Sequence, residues 1–195
     1  MLKIEPVVLE GRFIRLEPAT LDHALPMSQV ATMETFQYFV TGAPTSVDEQ
    51  GMRGYISAKL PDPNILLFAV YSKELGKFVG MTSYMDIRRE HRGLEIGMTW
   101  YAPEVRGTRV NPECKLLLIG HAIEVLSCER VQLKTDGRNL HSQNAIAKLG
   151  AKYEGTLRKH MIFPNGYVRD TVMYSVLPEE WPKIREGLQR RLVAD

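Results

Sequence analysis

The run Trp100-Tyr-Ala-Pro-Glu-Val-Arg-Gly-Thr-Arg-Val-Asn-Pro-Glu113 holds the residues whose types and spacing best suit a chemical task. A strand-like segment leads into a short loop carrying Arg106, Gly107 and Arg109. Asn111-Pro112 then reads as a helix start, an N-cap residue followed by proline at the first helical position. Unpaired amides and the positive end of a helix dipole meet at such a start, and two arginines add bidentate donors. The chemistry on offer is anion binding, phosphate in particular. The same spacing also fits a solvated loop with an ordinary cap, because strand-to-glycine-to-helix turns are common and one glycine is weak.

Other chemistries find little support. No CxxC or HxxxH spacing occurs, so no metal site is expected. No Ser-His-Asp or Cys-His arrangement is legible, and His23, His91, His121, His141 and His160 are scattered. Cys114 and Cys128 fall in one expected helix, which would hold them roughly 21 Å apart, far beyond disulfide reach. Reduced core thiols suit a cytoplasmic protein. With 25 basic and 23 acidic residues in 195, the net charge of +2 gives no reason to expect nucleic acid or a membrane surface as partner. No apolar stretch is long enough to span a bilayer, and the opening MLKIEPVVLEGR lacks the layout of a secretory signal. At this length, with 44% hydrophobic residues and no linker or repeat, one domain over 1–195 is expected.

The elements that must position the loop follow from pattern. Phe13 to Glu17 reads as a strand, and Thr20 can cap a helix from about Leu21 to Met33. Ser46-Val-Asp-Glu49 has the form of a capping box opening a helix to about Leu60. Ile65 to Tyr71 and Phe78 to Ile87 form a hairpin over a turn at 73–77, with a third strand from Gly93 to Tyr101. Glu113 to Ser127 is a helix with Leu117, Leu118, Ala122, Val125 and Leu126 on its buried face. Val131 to Thr135 is a strand, and His141 to Leu149 a short helix ending at Gly150. Tyr153 to Phe163 and Tyr167 to Leu177 form a hairpin around Asn165-Gly166. Pro178 opens a closing helix to about Leu192. The order β-α-α-β-β-β-α-β-α-β-β-α mixes hairpins with crossover helices and demands a sheet with both parallel and antiparallel pairs.

At this point the sequence resembles the GNAT superfamily of N-acetyltransferases, in particular its ribosomal-protein N-terminal acetyltransferase branch. The resemblance covers nearly the whole chain. It rests on Leu94-Glu-Ile-Gly97, Arg106-Gly-Thr-Arg-Val-Asn-Pro-Glu113, and Lys134-Thr-Asp-Gly-Arg-Asn139 followed by Ser142, Lys148, Leu149 and Gly150. Asn165-Gly-Tyr-Val-Arg-Asp170 and Glu180-Trp181-Pro182 are similar to this branch as well. The resemblance implies an α/β fold: a mixed, mostly antiparallel sheet of about seven strands, flanked by helices and splayed between its central strands. Acetyl-coenzyme A would lie in the gap as co-substrate, its pyrophosphate on Arg106, Gly107, Thr108, Arg109, Val110 and Asn111. Its pantetheine arm would pair with backbone near Thr99 and Trp100, and Asn139 matches a cofactor-contacting position.

The family's turn is usually Gln/Arg-x-x-Gly-x-Gly/Ala, whereas this chain has Glu104 first and Arg109 last, so the loop path should differ. Glu113 suits the helix dipole but would repel a nearby phosphate.

The implied reaction is acetyl transfer to a primary amine by direct attack in a ternary complex, which needs a neutral amine, a polarised carbonyl and a proton for the thiolate. An α-amine is about 15% neutral at pH 7 and a lysine about 0.04%, so an N-terminal acceptor needs only a modest base. Glu95 resembles the catalytic glutamate of some family members; its structural alternative is an ion pair with Arg92. Ser142 stands where the ribosomal-protein branch has a serine that hydrogen-bonds the thiolate, and it could equally serve the start of the short helix. Ile146 occupies the place of the tyrosine many members use. Backbone near Thr99 would polarise the carbonyl. Tyr38, Phe39, Tyr84 and Tyr167 could line the acceptor pocket, with Arg169 and Asp170 as a structural pair.

A protein or peptide N-terminus is the expected acceptor. A small amine (amino acid, polyamine or antibiotic) and a non-catalytic acyl-coenzyme A sensor are the alternatives, and a homodimer is compatible with either.

Overall fold

The structure, a computed structural model, describes residues 2–39 and 42–193; the ends of the expected 1–195 domain and positions 40 and 41 lie outside the described residues. One sheet of eight strands carries the chain, in the order β1-β2-β3-β4-β5-β6-β8-β7. The strands are β1 (Leu9–Glu10), β2 (Ile14–Pro18), β3 (Leu66–Ser72), β4 (Lys77–Arg88), β5 (Gly93–Tyr101), β6 (Arg130–Asp136), β7 (Lys152–Ile162) and β8 (Val168–Val176). The sequence pattern gives seven of them; β1 is two residues long, too short to show alternation, and pairs with β2 across a tight turn. Every pair is antiparallel except β5 with β6.

Five α-helices cover the faces: α1 (Ala24–Ser28), α2 (Glu49–Ser57), α3 (Val110–Gly120), α4 (Leu140–Leu149) and α5 (Trp181–Val193). The first expected helix is broken into a 3-10 turn at Leu21–His23, then α1, then a second 3-10 turn at Met33–Phe36. Thr20 does cap it, in a box with His23. Before α2 the N-cap is Asp48, whose Oδ1 accepts from Gly51 N at 2.8 Å, while Ser46 only donates to that carboxylate. A carboxylate is the stronger acceptor there, so it takes the place expected of the serine.

α1 and α2 bury Ala24, Met27, Met52, Tyr55 and Ile56 against Leu67, Ala69, Met81 and Trp100 on one face of the sheet. α3, α4 and α5 bury Val110, Cys114, Leu118, Ile146, Leu149, Ile184 and Leu188 against Phe68, Val70, Tyr84, Leu94 and Ile96 on the other. The buried line of α3 runs through Val110, Cys114 and Leu118 to Ala122, and the helix then passes into a π-turn at His121–Val125, whose wider winding changes the facing of the residues that follow. Val125, expected inside, is 66% exposed. Cys128 follows the helix instead of lying in it, and both thiols are free and buried. The closing hairpin turns at Asn165-Gly166 as expected, with Gly166 at φ +83 and its amide bonded to Phe163 O at 2.9 Å.

Candidate active site

The site begins where the one parallel pair fails. β5 and β6 are joined only through Gly93↔Arg130, Leu94↔Val131 and Glu95↔Gln132. From Ile96 to Tyr101 the β6-facing edge of β5 is unpaired, so the two central strands fork. On its other side β5 carries a bulge: Gly97 pairs with Ser83 and Trp100 with Met81, so three steps of β5 oppose two of β4. Met98 takes up the extra residue at φ +48. The consequence is visible in the core. Leu94 and Ile96 face α3 and α5, whereas Trp100, of the same parity, faces α1 and α2.

Beyond Tyr101 the chain enters the loop. Gly107 holds φ +79, a conformation glycine adopts without a steric cost. The N-cap of α3 is Arg109, two residues earlier than the Asn-Pro signal suggests, so Asn111 and Pro112 lie inside the first turn. Thr108 braces the turn by donating to Val105 O at 2.7 Å and accepting from Val110 N at 3.3 Å. The amides of Gly107 and Asn111 take no acceptor among the described residues. Asn111 Oδ1 accepts from Tyr101 Oη at 3.2 Å, tying the strand end to the helix start. Arg106 is spoken for in part: it donates to Tyr101 O at 3.3 Å and to Thr35 Oγ1 at 2.9 Å. The Arg109 guanidinium lies 5.2 Å from the Phe13 ring centroid. Glu104 pairs with Lys77 at 2.8 Å.

Glu113, at the start of α3, is engaged by backbone. Its carboxylate is turned to the N-terminal strand, where it accepts the amides of Arg12, Phe13 and Ile14, each at 2.7 Å. Those three donors satisfy the carboxylate at the start of β2.

Glu95 sits at the crotch of the fork, 2% exposed. Its Oε2 accepts from Gln132 Nε2 at 2.9 Å and pairs with Lys134 Nζ at 3.0 Å. Arg92, the partner considered from sequence, pairs instead with Glu129. Glu95 Oε1 borders the space left by Gly97, where an added Cβ would come within 3.1 Å of it. On the β6 side of the fork, Asn139 caps α4 by accepting from Ser142 N at 3.0 Å. The Ser142 hydroxyl makes no hydrogen bond among the described residues and is partly exposed.

Tyr38 and Tyr167 do meet, around Arg138, whose guanidinium lies 3.3 Å from the Tyr167 centroid and 6.0 Å from that of Tyr38. Phe39 packs against Phe36, beside this cluster. Tyr84 does not join them: it is fully buried and donates to Leu118 O at 2.6 Å. Arg169 and Asp170 do not pair. Asp170 accepts from Lys159 N at 2.7 Å, while Arg169 is 6% exposed and lies in the fields of Asp136 and Glu95.

Among the buried cations, Arg169 and Lys115 escape the sequence pattern. Arg169 forms no ion pair among the described residues, and burial lowers its affinity for its proton. Lys115 is 8% exposed; its Nζ donates to Thr99 Oγ1 at 3.0 Å, and burial lowers its pKa. Nothing in a helix-period pattern separates such a lysine from a surface one, because Lys115 looks like any polar position of an amphipathic helix.

The fork, the bulge and the helix start at the end of β5 define a class, and comparison with known proteins gives the same class. Residues 14–152 match the acetyltransferase (GNAT) domain, and the chain belongs to that family of acetyl-coenzyme A-dependent N-acetyltransferases. It is 32% identical over 106 residues to YdaF of Bacillus subtilis (strain 168), provisionally described as a ribosomal N-acetyltransferase. That match covers 54% of this chain and 57% of YdaF, so the chain spans little more than half the length of this curated relative. A provisionally described acetyltransferase from T. thermophilus superimposes with a TM-score of 0.89 at 38% identity, covering 97% of this chain and 99% of that one. A GCN5-related N-acetyltransferase from Brucella melitensis gives a TM-score of 0.90 at 26% identity, covering 98% and 87%. Among the described residues no helix is long and apolar enough to cross a membrane, and no cluster of side chains could hold a metal ion.

Proposed function

We propose that this chain transfers the acetyl group of acetyl-coenzyme A to the α-amine of a protein or peptide N-terminus, by direct attack in a ternary complex. The observation that carries the reading is the loss of β5–β6 pairing after Glu95↔Gln132, with the start of α3 at the end of the freed edge. The fork suits acetyl-coenzyme A on this chain's own geometry. The unpaired edge at Thr99 and Trp100 can pair with the amides of the pantetheine arm. The turn of Arg106, Gly107, Thr108, Arg109, Val110 and Asn111 presents the amides of Gly107 and Asn111 to its pyrophosphate, with guanidinium charge close by.

The chemistry then divides among few groups. The amine nitrogen attacks the acetyl carbonyl carbon, a C–N bond forms and the π pair moves onto oxygen, where backbone N–H at the bulge stabilises it. Collapse breaks the C–S bond and leaves the electron pair on sulfur. Ser142 Oγ, unclaimed at the start of α4, donates to that thiolate, while Asn139 fixes the helix turn that presents it and contacts the cofactor. Glu95, through a water at Oε1, takes the proton the nitrogen loses. Its Oε2 is already committed to Gln132 and Lys134, which is why Oε1 is the working oxygen.

The acceptor enters between the Met33–Phe36 turn and the β7–β8 hairpin, past Tyr38, Phe39 and Tyr167. YdaF's provisional description as a ribosomal N-acetyltransferase supports a ribosomal acceptor. One feature favours a second reading, a small amine that carries a carboxylate: the buried Arg169, without an ion-pair partner among the described residues, would receive it. A thiol-release assay with Ala- and Ser-initiated peptides, amino acids and polyamines decides. Turnover on the peptides supports the first reading, and turnover confined to amino acids replaces it with the second. Cofactor binding with no turnover on any amine would make the chain a sensor.

A further inference from the structure

We propose that Lys115 is a positioning residue of the transfer site, its ammonium acting through the Thr99 hydroxyl on the negative charge that develops beside the β5 bulge. The inference rests on the acetyl-transfer reading above. It starts from a cost. An ammonium taken out of water needs a carboxylate or several acceptors to offset its desolvation, and Lys115 has neither. Among the described residues it forms no ion pair, and its hydrogen-bond partner is Thr99 Oγ1 at 3.0 Å. A methionine or leucine would fill the same place in α3 at less expense, since its neighbours Cys114 and Leu118 are core residues.

The position of the charge gives it a use. Thr99 follows the left-handed Met98 and lies in the stretch of β5 that the bulge leaves out of register with β4. Its hydroxyl is held from two sides, by Lys115 and by Thr82 Oγ1 at 2.8 Å. This three-group chain fixes the residue whose backbone borders the unpaired edge. It also places the Lys115 ammonium, whose hold on its proton burial weakens, one side chain away from it, in surroundings where counter-ions cannot screen its charge. When the amine attacks and the carbonyl π pair moves onto oxygen, that field stabilises the oxygen. When the C–S bond breaks and the pair passes to sulfur, it favours the thiolate too. Lys115 transfers no proton in either step, so it replaces neither Glu95 nor Ser142.

The test uses Lys115→Met in the full chain with acetyl-coenzyme A labelled with 13C at the acetyl carbonyl. In the wild type the bound carbonyl resonance should lie downfield of the free ligand, and in Lys115→Met it should move back toward the free value. Turnover should fall on the order of 10- to 100-fold, with KM for acetyl-coenzyme A changed less than about threefold, since one oxyanion donor is worth about 100- to 1,000-fold and Lys115 acts at one remove. The urea midpoint of the variant should equal or exceed that of the wild type. An unchanged carbonyl shift with turnover within about twofold overturns the role of Lys115 and leaves the acetyl-transfer reading intact. If the wild type gains no thermal stability from acetyl-coenzyme A, that reading falls first and takes this role with it. Should Lys115→Met not fold, Thr99→Val removes the same link isosterically, and its carbonyl shift and turnover must change in the same directions.

Discussion

The carboxylate of Glu113 accepts the amide of Ile14 at 2.7 Å across 99 residues of sequence. With the amides of Arg12 and Phe13 it makes a three-pronged clasp between the first turn of α3 and the start of β2. Gly11 completes it, because a Cβ there would lie 2.6 Å from the Glu113 carboxyl carbon.

Replacing Glu113 by Ala should therefore cost about 2–4 kcal/mol, since a 3% exposed anchor is lost and three backbone donors are left without it. Gly11→Ala should cost about 1–3 kcal/mol through the clash. Urea denaturation measures both. A loss below about 0.5 kcal/mol in Glu113→Ala would show that water replaces the carboxylate freely.

How much of this is legible in the sequence depends on how local the cause is. The fork-forming strands, the Asn165-Gly166 hairpin and the Gly150 stop are readable, because period-two alternation, a turn dipeptide and a left-handed cap act within a few residues. The Asn-Pro signal is real but places the start of α3 two residues late, since Arg109 already closes the first bond to Glu113 N. The Met98 bulge, the Glu113 clasp and the burial of Lys115 are not legible. Each depends on a partner far away in sequence: Ser83 and Met81, Ile14, and Thr99. For the same reason the pattern puts Glu95 on the right strand but offers it the wrong ion-pair partner.

Glu154 offers a pH test of the sheet's far side. Arg130 grips it with two bonds of 2.5 Å, Ser175 donates to it at 2.8 Å, and its pKa is lowered from the ordinary 4.5 to about 2. A lowered carboxylate pKa means the folded state binds fewer protons than the unfolded one between those values. The pair's stabilisation is therefore present above pH 4.5 and lost as the pH falls toward 2. Because the pair is partly exposed, its worth is about 1 kcal/mol or less. Glu154→Gln should show a flatter urea midpoint than the wild type over that acid range. Parallel curves would mean the pair contributes nothing.

Arg106→Ala should raise KM for acetyl-coenzyme A about tenfold, the worth of one charge-assisted hydrogen bond, with the ranking of acceptors unchanged. Initial rates at varied cofactor and fixed acceptor measure it. Because Arg106 also bridges to Thr35 at 2.9 Å, Thr35→Val is the control for a loosened Met33–Phe36 turn. If both variants shift acceptor KM and leave cofactor KM alone, the pyrophosphate lies elsewhere.

Ser142 and Asn139 share a helix start but should separate in their effects. Asn139→Ala removes the cap and should cost about 1 kcal/mol of stability. Ser142→Ala leaves that cap in place, because Asn139 bonds the amide of residue 142 and not its hydroxyl. It should lower kcat on the order of tenfold with stability unchanged, and least for an acyl donor whose leaving thiol is more acidic. A uniform drop across donors would place Ser142 in packing instead of at the leaving group.

The last test falls on Glu95 and the space beside it. Glu95→Gln keeps the shape and the hydrogen bond from Gln132 but removes the proton acceptor and leaves Lys134 without its partner. If the carboxylate takes the amine's proton through water, turnover should fall about 100-fold near neutral pH, within the usual range for a general base. The loss should shrink as the pH rises past the acceptor's own pKa, since more of the amine is then neutral without help. Cofactor affinity should hold. Gly97→Ala provides the positional check: its Cβ would meet Met85 Sδ at 2.5 Å and Glu95 Oε1 at 3.1 Å, forcing both side chains from their places and shifting the proposed base. It should therefore reproduce the Glu95→Gln profile in weaker form. A Glu95→Gln loss that stays constant across pH would mean that Glu95 serves the fork as an anchor for Lys134 and Gln132, and that the amine reaches the site already neutral.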